Sequence, residues 1–138
     1  MVFLLESEEF ILAIEPKVYK EDISNSCNTI MEVTVDSCGF SANASMHIDV
    51  EELAEFSAGL CKLYESLIGE VRIEEPYGMH MYLSFAGDGN GHIMVSGELH
   101  KKDDNDNLQT LTFSKNMDQT CLKVFCYSLN ASLDSYLY

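Results

Sequence analysis

Basic residues are scarce in this chain. Lys and Arg number 8 against 23 Asp and Glu, for a formal net charge of −15 over 138 residues, and Arg72 is the single arginine. A protein that grips a phosphate backbone needs a basic stripe, so direct nucleic-acid binding is disfavoured, as is an anionic membrane surface. Proline is equally scarce, at 2 residues, with no low-complexity tract. That excludes a collagenous or linker-like chain. No run approaches the ~20 apolar residues of a membrane span. Met1–Leu5 is followed by Glu6, Glu8 and Glu9, without the basic segment and long apolar stretch of a secretory signal. A cytoplasmic location is expected. The cysteines, Cys27, Cys38, Cys61, Cys121 and Cys126, are odd in number and contain no CxxC pair. Reduced, buried thiols fit that set better than a disulfide framework or a structural zinc site.

What is present is ordinary for a globular domain: 46% hydrophobic and 22% charged residues. The length suits a single domain over 1–138. An acidic excess keeps a protein soluble, and it also speeds encounter with a basic partner.

Periodicity supplies the elements. Residues 1–5 and 9–15 read as two short strands, with Pro16 ending the second and 16–27 as a loop. Met31, Val33 and Val35 alternate with Glu32, Thr34 and Asp36, and a Cys38-Gly39 turn leads to Phe40, Ala42, Ala44, Met46 and Ile48 at the same period. Asp49, with Glu52 three residues on, starts a helix like a capping box. Leu53, Phe56, Leu60, Leu63, Tyr64 and Leu67 form its apolar stripe, and Gly69 is expected to stop it. Glu51, Glu55 and Glu65 fall on the wet side.

The second half repeats the order. Val71 and Ile73 mark a short strand, and Pro76-Tyr77-Gly78 a turn. Met79, Met81, Leu83 and Phe85 share one face of the next strand. A five-residue loop over Gly87–Gly91 pairs Phe85 with Ile93, Leu83 with Val95 and His80 with Glu98. Residues 101–107 are an acidic tip, and Leu111 and Phe113 belong to the last strand. Asp118 caps a second helix with a stripe of Leu122, Phe125, Cys126, Leu129, Leu133 and Tyr136. Val124, Tyr127, Ala131 and Tyr138 gather on its other side at ~100° per residue. They are either scattered apolar surface or a second packed face for a homodimer or partner. The expected fold is α+β, with antiparallel sheets and two helices in the order ββββα-ββββα.

Catalytic and metal signals are weak. His47, His80, His92 and His100 make no HxxxH or HExxH spacing, and no serine sits in a GxSxG elbow. Gly87–Gly91 lacks the Lys and Ser/Thr of a P-loop and joins two strands. Asp103-Asp104-Asn105-Asp106-Asn107 lacks the spaced ligands, central glycine and terminal glutamate of an EF-hand loop. The pairs Glu8-Glu9 and Glu74-Glu75 could flank a cleft, but nothing in the sequence brings them together. The expectation is no enzyme, no cofactor and no metal.

Certain residues together carry a family likeness: Gly39-Phe40 leading a strand; Phe56, Leu63-Tyr64, Leu67 and Gly69 in and after the first helix; Gly87 to Gly91 followed by Ile93, Val95 and Gly97; Leu111-Thr112-Phe113; and Asp118-Gln119-Thr120 with Leu122 at the final helix. Across roughly residues 28–137 the chain resembles the WapI immunity family, small acidic bacterial antidotes encoded beside contact-dependent polymorphic toxins. The resemblance implies a protein that binds and neutralises the C-terminal domain of a cognate toxin, often a nuclease, without catalysis. An acidic antidote would occupy a basic nuclease groove as a polyanion surrogate. The contacts expected from charge are Glu51, Glu55 and Glu65 on the first helix and Asp103, Asp104 and Asp106 at the tip. The rival expectation is an interaction or homo-oligomeric module using Val124, Tyr127 and Tyr138. Four strands and a helix, twice over, also describes Whirly-type binders of single strands. Such binding needs an electropositive groove with stacking aromatics, which the charge opposes.

Overall fold

The computed structural model describes residues 1–136. Its eight strands are β1 (Phe3–Ser7), β2 (Phe10–Val18), β3 (Thr29–Ser37), β4 (Phe40–Ile48), β5 (Ile68–Glu74), β6 (Tyr82–Asp88), β7 (His92–Lys102) and β8 (Leu108–Asp118). Helix α1 (Val50–Ser66) follows β4, and α2 (Lys123–Leu133) follows β8 through a 3-10 turn over Gln119–Leu122. The strands form two antiparallel sheets, β1-β2-β3-β4 and β5-β6-β7-β8, each in simple sequence order. The fold is α+β in the order ββββα-ββββα.

The alternation in β2, β3 and β4 drives the first sheet's packing. Leu12, Ile14, Met31, Val33, Val35, Met46 and Ile48 are all fully buried on one face, and each such side chain contributes about 1.5–3 kcal/mol by leaving water. Leu83, Phe85, Ile93, Val95 and Leu99 do the same for the second sheet. Aromatic rings tie the layers together. Phe10 of β2 meets Phe113 of β8 at 6.0 Å between centroids, and Phe85 lies 5.6 Å from Phe56 of α1 and 6.2 Å from Phe125 of α2. The helices pack on each other, α1 also against β5 and α2 against β1.

Three details depart from the sequence reading. Pro16 does not end β2, which runs on to Val18 with Pro16 opposite Met31. β1 reaches only as far as Ile14, so the proline's missing N–H falls on an unpaired side and removes no ladder bond. Leu67, not Gly69, ends α1: it adopts the left-handed conformation (φ 66°), and its N–H bonds the Leu63 carbonyl at 2.8 Å. The β6–β7 register is shifted by two residues, so that Phe85 faces Val95 and Tyr82 faces Glu98. Asp88 causes the shift: its carboxylate accepts from the N–H groups of Asn90 (2.7 Å) and His92 (3.1 Å), closing a tighter loop. His80 therefore lies outside the strand, with a positive φ of 55°, and does not face Glu98. The loop before β3 is anchored by Asn28. Its buried amide donates to the carbonyls of Ile23 (3.1 Å) and Asn25 (3.0 Å), and its oxygen accepts from Thr29 Oγ1 and the Val50 N–H, both at 2.9 Å.

Candidate partner-binding site

The acidic face of α1 follows from its capping and its stripe. Asp49 Oδ1 accepts from the Glu51 N–H at 2.8 Å and fixes the first turn. Leu53, Phe56, Leu60 and Leu63 then turn inward. Glu51, Glu55 and Glu65 are left exposed, within an arc of about 80° and spread over about 21 Å of helix. They form one face. Glu65 also has an internal partner: its Oε1 accepts from the Tyr127 hydroxyl at 2.6 Å. That bond is the first cause pushing the Tyr127 phenol up to about 12.

The β7–β8 tip is built around Asp103. Its carboxylate accepts from the N–H groups of Asn105 (2.8 Å) and Asn107 (3.0 Å) and from Asn107 Nδ2 (3.1 Å). These bonds hold the carboxyl below the usual carboxylate range. Asp103 thus shapes the hairpin, while Asp104 and Asp106 are exposed. Asp118 plays the equivalent part at the second helix, accepting from the N–H (2.9 Å) and hydroxyl (2.7 Å) of Thr120.

On the apolar side of α2, Val124 is 76% exposed and Tyr127 39% exposed. Tyr127 also packs within the fold: its ring stands edge-on to Tyr64 at 5.9 Å. Tyr138, expected to join that face, lies outside the described residues.

Other groups are committed to the fold. Arg72 stacks 3.8 Å above the Tyr82 ring and pairs with Glu74 at 2.5 Å on the sheet face. Burial raises the Cys61 thiol and pushes that of Cys126 up to about 12, which suppresses the nucleophilic thiolate. His100 bonds Thr110 Oγ1 at 2.9 Å. No group of three or more metal-ligating side chains occurs among the described residues, and no helix there is long and apolar enough to cross a membrane.

Glu75 escaped the sequence reading. It is only 4% exposed. Its Oε2 accepts from the His47 N–H at 3.0 Å, and its Oε1 has no partner among the described residues. An unmet buried acceptor costs about 1–3 kcal/mol. Beside Glu74 in the sequence, it reads as one more surface acid.

These features define an acidic α+β protein of paired four-stranded sheets, with exposed carboxylates on one face of α1 and at the β7–β8 tip among others along the chain. The chain belongs to the immunity protein WapI-like family, which it matches over residues 3–137. The match takes in β1 and β2, beyond the 28–137 span of the likeness read from sequence. No curated protein and no solved structure matches the chain.

Proposed function

We propose that this protein is a cytoplasmic antidote that binds the C-terminal domain of a cognate contact-dependent toxin and silences it as a stoichiometric, non-catalytic complex. The observation that carries the reading is membership of an immunity family along nearly the whole chain. The net charge of −15 adds the partner's chemistry: a basic domain, such as a nuclease whose groove holds nucleic acid. Such a groove meets Glu51, Glu55 and Glu65 on α1 and Asp104 and Asp106 at the tip, with Asp103 shaping that tip. Complementary charge steers the encounter, and a few buried anchors set the affinity.

The test is a pulldown with the C-terminal toxin domain of the protein encoded immediately upstream, together with a co-expression growth assay. One-to-one binding with rescue of growth is expected. Absence of both would leave an interaction or homo-oligomeric module as the better account. The exposed Val124 on α2 favours that alternative.

A further inference from the structure

The outer edge of β4 is unpaired. β4 pairs with β3 from Phe40 to Ile48 and, among the described residues, with no strand on its other side, where β7 comes near without pairing. The His47 N–H points outward, since it donates to Glu75 Oε2. Alternation turns the N–H and C=O groups of Ser41, Asn43 and Ser45 the same way. Nothing outside the sheet accepts from those three N–H groups among the described residues.

Native proteins guard such edges with short strands, charges, proline or a covering element. The other three edges follow that rule. β1 has five residues and lies against α2. β5 is covered by α1 and carries Glu70, Arg72 and Glu74. β8 carries Lys115 and Asp118. β4 has nine residues, with no proline, Asp, Glu, Lys or Arg among them.

The edge also borders a groove. β6 pairs with β7 only as far as Glu98, so Leu99–Lys102 of β7 have β8 on one side and, among the described residues, no strand partner on the other. Between β4 and these strands lies a groove of about 470 Å³, with Ala42, Ala44, Leu99 and Leu111 supplying apolar wall. An adjoining hollow of about 360 Å³ shares Ala44 and Lys101 with it and reaches Glu75. Phe40 stands at the other end, 69% exposed.

We propose that this edge receives an extended segment of the toxin as a fifth strand of the first sheet. This rests on the antidote reading above. Backbone pairing to Ser41, Asn43 and Ser45 supplies affinity, and a side chain seated between Ala44 and Leu99 supplies selectivity. Lys101 and Lys102 line the groove and outnumber its one acid, Asp103, so the segment is uncharged or acidic, in contrast to the basic surface that meets α1. Glu75 Oε2 already sits where a pairing strand's acceptor would bond His47, and its partnerless Oε1 is met by a donor from the incoming chain. β4 leads from Phe40, which shares the groove wall with Asp103, to Asp49 at the start of α1. The docked segment therefore runs between the two acidic surfaces.

The experiment is amide hydrogen exchange by NMR on the full chain, free and with the upstream-encoded toxin domain. Protection of the Ser41, Asn43 and Ser45 amides should rise at least tenfold in the complex. Ser41→Pro, which deletes an outward N–H and breaks no side-chain hydrogen bond among the described residues, should weaken binding at least tenfold while thermal unfolding stays unchanged. Should that variant misfold, Ala42→Lys fills the groove without altering the backbone and should weaken binding equally. A complex that protects cells while these amides exchange at their free rates overturns strand addition and leaves the antidote reading intact. No complex and no growth protection overturns both. Protection that rises with concentration in the free protein, with a doubled mass, gives the edge to a second copy and overturns the assignment to the toxin.

Discussion

The hydroxyl of Tyr127 on α2 donates a 2.6 Å hydrogen bond to Glu65 on α1, closing the two helices together on their solvent side. This joins residues expected to belong to separate surfaces, Glu65 to a toxin contact and Tyr127 to a dimer contact. The Tyr64 ring, edge-on at 5.9 Å, completes the clasp.

The clasp has a pH signature. The bond to Glu65 pushes the Tyr127 phenol up to about 12, above the ~10 of an unfolded chain. A folded-state value that is raised stabilises fully below the unfolded value and is lost as pH climbs through the folded one. Tyr127→Phe should therefore lower Tm by a few degrees near neutrality, with the gap from the parent shrinking between about pH 10 and 12. Thermal unfolding across that range checks it. A gap independent of pH would assign the effect to packing on Tyr64 instead.

Asn28→Ala should be among the costliest single polar changes. It leaves the Val50 N–H without its acceptor at the start of α1 and frees the carbonyls of Ile23 and Asn25. A loss of about 3 kcal/mol is expected, since each buried group left unmet costs about 1–3. Urea unfolding measures it. A change below about 1 kcal/mol would mean that water replaces the amide at this site.

Two glycines are required by close approach. A Cβ on Gly87 would lie 2.5 Å from the Leu67 carbonyl oxygen, and one on Gly97 would lie 2.7 Å from both the Tyr82 carbonyl oxygen and the Phe113 ring. Backbone atoms cannot swing aside as a flexible side chain can. Gly87→Ala and Gly97→Ala should each cost about 2–3 kcal/mol by strain, read by denaturant midpoint. Gly87→Ala should also loosen the left-handed end of α1, seen as faster exchange of the Gly89 amide, which bonds the Leu67 carbonyl at 2.8 Å.

Legibility followed the range of the physics. Periodicity is local, so Met31, Val33 and Val35, the α1 stripe and the caps at Asp49 and Asp118 were readable residue by residue. The β6–β7 register turned on one carboxylate, Asp88, bonding two backbone groups of its own loop, and hydrophobic alternation is blind to a shift of two. Pro16 misled because its tolerance depends on where β1 stops. Among the candidate contacts, composition marked Glu51, Glu55, Asp104 and Asp106 as solvated acids, but not that Asp103 and Glu65 have internal partners. Glu75 and the β4 edge were invisible. Both arise from segments far apart in sequence, Glu75 and His47 in one case and β4 and β7 in the other.

The acidic surface predicts a salt-dependent encounter. Asp103 must be treated apart, because alanine there would release the N–H groups of Asn105 and Asn107 and unmake the tip. Asp103→Asn keeps an acceptor and removes the charge. Combined with Glu51→Ala, Glu55→Ala, Glu65→Ala, Asp104→Ala and Asp106→Ala, it removes six negative charges. Association with the upstream-encoded toxin domain should slow by about 10–100-fold at low ionic strength. The difference should narrow as salt rises, because the Debye length falls from about 30 Å at 0.01 M to about 8 Å at 0.15 M. Dissociation should change far less, since the residence of a complex depends on its desolvated anchors. Stopped-flow association over a salt series reads both rates. A variant that associates as fast as the parent at every salt would remove these six residues from the interface while leaving the antidote reading in place.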